Sequence, residues 1–283
     1  MLSDAVMIVT GATNGIGLVT ARELAHSGAT VVLVGRNHQR MDATLEHIRL
    51  VVPDAKLDSF VADLSRTSEV QLLANHIINT YPRVDVLVNN AGAFFQNRQL
   101  SADGIEMTFA LNHLAPFTLT NLLLNHMRAS APARIINVSS AAHQGAVIDF
   151  DDVQLAKKYS GWKAYAQSKL ANLLFTYELA DRLQDADIMV NALHPGFVNT
   201  GFAKDQSLFS TFFGVLQKYF AITPEKGAQT SIYLATNQEL NGVTGRYFVE
   251  SKPVPSSRAS YDYTARRKLW ELSTKLMNDH LRI

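Results

Sequence analysis

Two side chains that could transfer a proton together lie four positions apart in the segment Tyr165-Ala166-Gln167-Ser168-Lys169. On a helix four residues span about 6 Å, so both side chains share one face. Tyrosine is a poor base near neutral pH because its free pKa is about 10, and a nearby ammonium stabilises the phenolate. We therefore expect a lowered pKa at Tyr165. A shift of about three units corresponds to roughly 4 kcal/mol, which Lys169 and a second cation could supply.

A serine upstream could act on the same substrate. The run Asn137-Val138-Ser139-Ser140 closes an apolar segment, and the hydroxyl of Ser140 could orient or polarise a substrate oxygen. Ser139 is the alternative. The tyrosine–lysine spacing alone is common and is usually a surface pair of little energetic consequence. Its meaning depends on the elements that position it.

Six short apolar runs rich in β-branched residues predict strands buried on both faces, since polar and apolar residues do not alternate in them. These runs are Ala5–Val9, Thr30–Val34, Leu57–Val61, Val84–Val88, Arg134–Val138 and Ile188–Leu193. Helical patterns lie between them at Ile16–Ser27, Gln39–Val52, Thr67–Tyr81, Ile105–Met127 and Trp162–Leu183. The alternation predicts a single α/β domain with a doubly wound parallel sheet, helices on both faces and ligands beyond the carboxyl ends of the strands.

A glycine-rich turn, Thr10-Gly11-Ala12-Thr13-Asn14-Gly15-Ile16-Gly17, follows the first predicted strand. Glycines allow positive φ and let the backbone approach a pyrophosphate at a helix N-terminus, where free N–H groups favour anions. The spacing differs from the strict G-x-G-x-x-G pattern, and a tight strand-to-helix connection alone would also need glycines. The position after the first strand favours a dinucleotide site.

The end of the second predicted strand bears on which dinucleotide binds. NAD sites place an acid there for the adenosine 2′-hydroxyl, whereas this chain reads Val34-Gly35-Arg36-Asn37. Arg36 could form charge-assisted hydrogen bonds with a 2′-phosphate, and Gly35 leaves room for it. A solvated loop arginine is the alternative. We expect NADP(H).

Composition excludes several other classes of protein. The 283 residues carry 26 Lys and Arg against 25 Asp and Glu, so no basic field favours nucleic acid. Cysteine is absent, which excludes disulfides and thiolate chemistry. We expect no metal site, because His113, His143 and His194 lack ligand spacing and are expected in loops or at helix caps. The first residues predict a strand rather than a secretion signal, so we expect a cytoplasmic protein.

The order of these features resembles that of the short-chain dehydrogenase/reductase superfamily over about residues 5–250. The shared features are the glycine turn, Asn89-Asn90-Ala91-Gly92, Asn112, Ser140, Tyr165 and Lys169. The resemblance implies a Rossmann-like sheet of about seven strands in the order 3-2-1-4-5-6-7, and hydride transfer between NADP(H) and a carbonyl or alcohol. It makes Tyr165 the acid/base, Lys169 its activator and ribose anchor, Ser140 the substrate-oxygen donor, and Asn112 the holder of a water in a proton relay.

The resemblance also implies a cofactor site. Its positions are Gly11, Thr13, Asn14, Gly15, Ile16, Gly17, Arg36, Asn37, Asp63, Leu64, Asn89, Ala91, Gly92, Tyr165, Lys169, Pro195, Gly196, Val198 and Thr200. Asp63 and Leu64 would lie near adenine, and His194–Thr200 resembles the segment that grips nicotinamide. For Asn89 and Asn90 a second role stays open, because asparagines there could tie the central sheet together.

Three segments resemble the retinol-dehydrogenase-like branch: Asn137–His143, Ser168–Asn172 and an insertion at about 145–161. We expect a small lipophilic carbonyl or alcohol as the substrate, contacted by Ser140, Tyr165, Phe197, Phe212 and Phe213. Aromatic residues crowd positions 208–220, which we interpret as part of a substrate lid at about 201–223. A peripheral membrane contact, a packed helix and a subunit contact are the alternatives, since the segment is too short to span a bilayer.

The tail at about 251–283 reads as irregular. Family members often form homodimers through the helix that bears the tyrosine, and the insertion and tail could block or replace that surface. Two function hypotheses stand. The first is an NADP-dependent carbonyl reductase or alcohol dehydrogenase. The second is a non-catalytic protein on the same fold that binds a dinucleotide and reports redox state through a partner. The intact serine, tyrosine and lysine favour the enzyme, because a pure binder needs neither the serine nor the phenol.

Overall fold

A mostly parallel sheet runs through the structure, a computed structural model that describes residues 3–196 and 223–281. Within these ranges the sheet has eight strands in the order β3-β2-β1-β4-β5-β6-β7-β8. In chain order, β1 to β8 are Val6–Thr10, Thr30–Gly35, Lys56–Val61, Val86–Asn89, Ala133–Val138, Ile188–His194, Arg246–Val249 and Lys252–Val254. The six predicted strands and the expected order are confirmed. The additional β8 pairs antiparallel with β7 at one edge.

Helices cover both faces of the sheet, as predicted. In chain order, α1 to α8 are Gly15–His26, His38–Val51, Thr67–Thr80, Met107–Phe109, Ala115–Ala129, Gly161–Arg182, Pro224–Thr236 and Tyr263–His280. One core lies under α1, α2 and α7, where Leu24, Met41 and Leu234 are buried. The other lies under α3, α5 and α6. Because β1 pairs with both β2 and β4, the strand order reverses there and opens a crevice at the carboxyl ends of β1 and β4.

The helix predicted over Ile105–Met127 is interrupted. Buried Glu106 accepts hydrogen bonds from the backbone N–H groups of Thr108 and Phe109, each at 2.8 Å, so α4 begins at Met107. A π-helical turn over Ala110–Leu114 then separates α4 from α5. Such turns are rare and often occur at functional sites. Asn112 lies in this one.

The prediction of an irregular tail is wrong. Besides β8, the tail contains a 3₁₀ turn over Arg258–Tyr261 and the 18-residue helix α8, which packs on α6. Arg266 of α8 forms ion pairs with Glu178 and Asp181 of α6, and Arg182 lies 4.2 Å from the ring centre of Trp270. Leu269, Leu272 and Leu276 of α8 recur at helical spacing and pack in or against the core, so the sequence contains a helical pattern that the expectation of an irregular tail overlooked. The face of α6 to which α8 is bound is therefore covered by the same chain.

Several predicted features lie outside the described residues. They are Phe197, Val198, Thr200, Phe212, Phe213 and the predicted lid up to residue 222. Across the ranges that are described, no helix has the length and apolar character needed to cross a bilayer.

Candidate active site

Tyr165 and Lys169 lie one turn apart on α6, as predicted. The side chain of Ser160 caps this helix by accepting a hydrogen bond from the N–H of Lys163. Lys169 is buried, and its Nζ lies 5.6 Å from the ring centre of Tyr165 and 3.0 Å from the carbonyl oxygen of Val138. The lysine thus faces both the tyrosine and the end of β5.

The electrostatics of this pair differ from the expectation. Burial raises the pKa of Tyr165 to about 12, and a hydrogen bond with the Ser140 side chain acts in the opposite direction. Burial lowers the pKa of Lys169 to about 8. The expected lowering at Tyr165 is therefore wrong for the protein alone, because loss of water around the phenol outweighs the hydrogen bond.

The two serines at the end of β5 have different surroundings. The hydroxyl of Ser139 is buried and donates to the carbonyl oxygen of Lys169 at 2.7 Å. Ser140 is half-buried, and its Oγ accepts a hydrogen bond from the N–H of Ala142 at 3.2 Å. With that lone pair occupied, its own proton is directed elsewhere. The geometry brings Ser140, and not Ser139, to Tyr165.

Asn112 is fully buried in the π-helical turn. Its Oδ1 accepts from the N–H of Ala93 at 2.8 Å, and its Nδ2 donates to the carbonyl oxygen of Ala93 at 2.9 Å and to Oγ of Ser168 at 3.0 Å. The side chain therefore joins the loop after β4 to α6. These three contacts occupy both polar atoms of the side chain.

The glycine turn between β1 and α1 has the geometry that a pyrophosphate requires. Gly11 and Gly15 adopt positive φ angles of 67° and 51°. A Cβ on Gly17 would overlap the carbonyl oxygen of Gly11 and lie 2.5 Å from Nδ2 of Asn90. Asn14 is exposed at the start of α1, whose first turn contains no acid. The N–H groups of this helix end can thus face an anion.

Two residues outside the predicted cofactor positions support the turn, and one of them, Asn90, has the sheet-tying role considered for it. Asn90 donates through Nδ2 to the carbonyl oxygens of Thr10 and Gly11, at 2.8 and 3.3 Å. The Oγ1 of Thr10 accepts from the N–H groups of Asn90 and Ala91, both at 3.0 Å. Thr10 is the last residue of β1, and Asn90 directly follows β4. Because these adjacent parallel strands end together, the sequence could have predicted that the two residues meet.

Asn89 has the sheet-tying role that was left open. Its buried side chain donates to Oδ1 of Asn137 at 2.9 Å and to Oγ1 of Thr120 at 3.1 Å. Asn137 in turn donates to Oγ1 of Thr176 at 2.9 Å. These bonds connect β4 and β5 with α5 and α6, so the amide nitrogen of Asn89 is used within the core.

The residues after β2 surround the expected adenosine end of the cofactor. Arg36 is exposed and forms no ion pair with any described residue. A Cβ on Gly35 would lie 2.7 Å from Cγ2 of Thr13 and 3.1 Å from Cε of Met41. The side chain of Asn37 caps α2. Gly35 is therefore enclosed by Thr13, while Arg36 is free to meet a ligand.

The remaining cofactor positions lie at strand ends. Asp63 follows β3 and accepts hydrogen bonds from the N–H and hydroxyl of Ser65, at 3.1 and 2.7 Å, and the next residue, Leu64, is buried. Pro195 and Gly196 follow β6, where Gly196 has a φ of 90°. Gly92 lies beside the catalytic candidates, since a Cβ there would be 3.5 Å from Nζ of Lys169.

Two aromatic rings that were not among the predicted site residues flank the tyrosine. Phe94 lies edge-on to Tyr165 with ring centres 6.0 Å apart, and Trp162 lies 6.3 Å away. Tyr159, in the predicted insertion, donates to the carbonyl oxygen of Phe95 at 2.9 Å and so holds the segment that carries Phe94. Trp162 and Tyr165 are three residues apart on one helix, and this spacing was the sequence signal that could have identified Trp162 as a neighbour of the tyrosine. Together, Phe94 and Trp162 form an apolar wall beside the phenol.

The histidine expectation is wrong for His113, which is fully buried in the π-helical turn with Nε2 2.8 Å from Oγ of Ser273. It is also wrong for His194, the last residue of β6. His143 lies in a 3₁₀ turn directly after Ser140. Within the described ranges, no three His, Asp or Glu residues are grouped so that they could hold a metal ion.

Known proteins share both this sequence and this architecture. Residues 5–209 match the family model described as short chain dehydrogenase. The chain belongs to the short-chain dehydrogenase family. It is 41% identical over 277 residues to human retinol dehydrogenase 13, an alignment that covers 96% of this chain and 84% of the relative. The retinol-dehydrogenase-like resemblance is thus confirmed, and the protein is an oxidoreductase acting on carbonyls or alcohols.

Solved structures agree with this assignment. A Mycobacterium paratuberculosis protein superimposes with a TM-score of 0.79 at 31% identity, covering 100% of this chain and 96% of that one. A short chain dehydrogenase from Escherichia coli CFT073, complexed with NADPH, gives a TM-score of 0.69 at 26% identity and covers 89% of this chain and 98% of that one.

Proposed function

We propose that this protein interconverts a lipophilic carbonyl and its alcohol with NADP(H), using Tyr165 as the proton-transferring residue. The carrying observation is the convergence of the Ser140 hydroxyl, the Tyr165 phenol and the buried Lys169 ammonium at the carboxyl end of β5. A dinucleotide-binding role alone would need none of the three in this arrangement.

The residues around the glycine turn fit a dinucleotide phosphate. A side chain on Gly17 would fill the close contact between α1 and the turn, and the helix end carries no acid. The unpaired, exposed Arg36 fits a 2′-phosphate, with which a guanidinium forms bidentate hydrogen bonds. The NADPH-complexed Escherichia coli relative supports the same choice. NADP(H) is therefore the proposed cofactor.

The proton-transfer step follows from the state of the phenol. NADPH, when bound, supplies the hydride that adds to the carbonyl carbon. Tyr165, with a pKa near 12, holds its proton at neutral pH and donates it from Oη to the carbonyl oxygen. The C=O π bond is thus replaced by one C–H and one O–H bond, and Tyr165 is left as a phenolate. Alcohol oxidation reverses these transfers.

Three neighbouring residues assist that step. The Ser140 side chain is hydrogen-bonded with Tyr165 and accepts from Ala142, so its hydroxyl is placed to donate to the substrate oxygen and hold it against Tyr165. The Lys169 ammonium stabilises the phenolate as it forms and could bind the cofactor ribose. The main-chain carbonyl of Asn112 would hold the relay water, since its side chain is bonded to Ala93 and Ser168.

An apolar substrate fits the surroundings of the phenol. The aromatic rings of Phe94 and Trp162 lie next to Tyr165, and 46% of the Trp162 surface is exposed. The retinol dehydrogenases among the relatives support a small lipophilic substrate.

NADPH consumption tests the proposal. Wild-type protein and Tyr165→Phe are screened against aldehydes, ketones, retinoids and steroids, with Tyr233→Phe on the opposite face of the sheet as the matched control. We expect Tyr165→Phe to lower kcat by about 10²- to 10⁴-fold, the usual contribution of a positioned acid, with an unchanged Kd for NADPH. Turnover that survives the loss of this hydroxyl would overturn the mechanism. NADPH binding with no turnover by wild type would favour the redox-sensor alternative.

A further inference from the structure

The imidazole of His143 lies between Ser140 and the C-terminal segment. Its Nδ1 is 2.6 Å from the carbonyl oxygen of Ser140, and its Nε2 is 3.1 Å from the backbone nitrogen of Ser257. The side chain is fully buried, with its ring edge-on to Tyr247 at 5.1 Å. The ring thus joins two segments that are 114 positions apart in the chain.

These two partners determine where the ring proton lies. The carbonyl oxygen of Ser140 can only accept a hydrogen bond, so Nδ1 must carry the proton. The N–H of Ser257 can only donate, so Nε2 must present its lone pair. Burial also lowers the pKa of His143, which favours the neutral ring. The structure therefore contains one tautomer, with both ring nitrogens bonded.

On the serine side, the ring fixes the peptide that orients the Ser140 side chain. The Ser140 carbonyl accepts two hydrogen bonds from His143, one from the backbone N–H at 3.2 Å and one from Nδ1. The Ser140 hydroxyl accepts from Ala142. The peptide plane and Oγ are thus held together beside Tyr165, with which the Ser140 side chain is hydrogen-bonded.

On the other side, Ser257 belongs to an ordered cluster of hydroxyl groups. Oη of Tyr177 lies 2.7 Å from Oγ of Ser256, which lies 2.6 Å from Oγ of Ser260. Ser260 donates to the carbonyl oxygen of Ser257 at 2.6 Å, and Tyr177 stacks on Tyr261 with ring centres 5.2 Å apart. The donor that meets His143 is therefore fixed to α6, the helix that also bears Tyr165.

We propose that His143 is a positioning residue that holds Ser140 in register with Tyr165 by linking it to segment 256–261. The proposal rests on the function proposed above, because it acts through the Ser140 hydroxyl. The same helix carries the tyrosine and anchors the far end of the link. Ser140 and Tyr165 are consequently held in fixed positions relative to the same helix, α6. Displacement of the serine therefore lowers kcat without affecting NADPH binding.

A double-mutant cycle tests this coupling. His143→Gln can still accept from Ser257 but has no donor at the Nδ1 position. We expect it to lower kcat about 10-fold or more, as small displacements of positioning groups do, with an unchanged Kd for NADPH. In a Ser140→Ala background the same substitution should change kcat by less than about 2-fold, because coupled residues are not additive. His143→Asn, which keeps a donor near Nδ1, should retain more activity than His143→Gln. Equal losses in both serine backgrounds would overturn the proposal.

A second measurement uses the unaltered protein and does not depend on turnover. Nitrogen chemical shifts of the histidine rings should show His143 neutral and protonated at Nδ1 near pH 7. A ring protonated at Nε2 would rule out the link to Ser140. If Tyr165→Phe leaves turnover intact while this tautomer is found, the proposed role of Tyr165 has failed and the structural link has not.

Discussion

The ammonium group of Lys169 donates to the carbonyl oxygen of Val138 across 3.0 Å, and both residues are buried. One neutral acceptor replaces the water that would surround a free ammonium, which is why the pKa of Lys169 falls to about 8. The positive charge of Lys169 beside the phenol is therefore lost when the pH rises only slightly above neutral.

This position predicts the pH dependence of the enzyme. The ammonium form exists below about pH 8 and is lost above it, whereas Tyr165, with a pKa of about 12, stays protonated throughout. We expect kcat/KM for NADPH, which reports the free enzyme, to fall as pH rises through about 8. Lys169→Arg stays charged in this range and should lack that fall. A descending limb at the same pH in both proteins would assign it to another group.

Cofactor choice should depend on Thr13 as well as on Arg36. Arg36→Leu removes charge-assisted hydrogen bonds worth about 1.5–3 kcal/mol, so it should raise the Kd of NADPH roughly 10- to 100-fold and leave that of NADH unchanged. An acid at position 35 meets Cγ2 of Thr13, since its Cβ would lie 2.7 Å away. Gly35→Asp with Arg36→Leu should therefore gain NADH turnover only when Thr13→Ala is added. A double variant that uses NADH as well as the triple variant would contradict the steric argument.

Two glycine substitutions should separate stability from cofactor binding. Gly17→Ala forces its Cβ onto the carbonyl of Gly11, so we expect about 1–3 kcal/mol of lost stability and weaker NADPH binding. Gly28→Ala meets no atom closer than 3.7 Å, and its φ of 85° alone should cost about 1–2 kcal/mol. Denaturant unfolding and NADPH titration give both quantities. Normal NADPH affinity in Gly17→Ala would show that the turn does not touch the phosphates.

The aromatic wall should discriminate substrates by size. Phe94→Ala and Trp162→Ala each remove apolar contact worth about 1.5–3 kcal/mol if the substrate buries the ring, so KM for large apolar carbonyls should rise roughly 10-fold or more. Small substrates should change little. Tyr263→Ala, an exposed aromatic on α8, is the control. Parallel changes for large and small substrates would exclude a substrate wall.

Local patterns in the sequence were sufficient for the sheet and for the reacting pair. The central strands are runs rich in Val, Ile and Leu that are buried on both faces, as their composition predicts. That expectation is wrong for β3, which contains Asp58 and Ser59, lies at the edge of the sheet and has no fully buried residue. Tyr165 and Lys169 share a face because helix geometry alone requires it. Features that depend on distant partners were not accessible in this way.

Three differences show why. The helix α8 could be read from its apolar spacing, but its place on α6 depends on distant partners such as Glu178 for Arg266. The burial of His113 depends on Ser273, 160 positions later in the chain. The raised pKa of Tyr165 depends on how much water the assembled core excludes. Each is set by packing across the chain, which residue type and spacing do not reveal.

The side chain of Thr13 occupies the space that a side chain at position 35 would need, and this also constrains how the enzyme could evolve. A lineage that acquires an acid at position 35 first passes through a protein with a crowded turn, and so with impaired binding of either dinucleotide. A lineage that first replaces Thr13 by a smaller residue avoids this crowded intermediate. The order of substitutions, more than their number, therefore decides whether a descendant can exchange one coenzyme pool for the other.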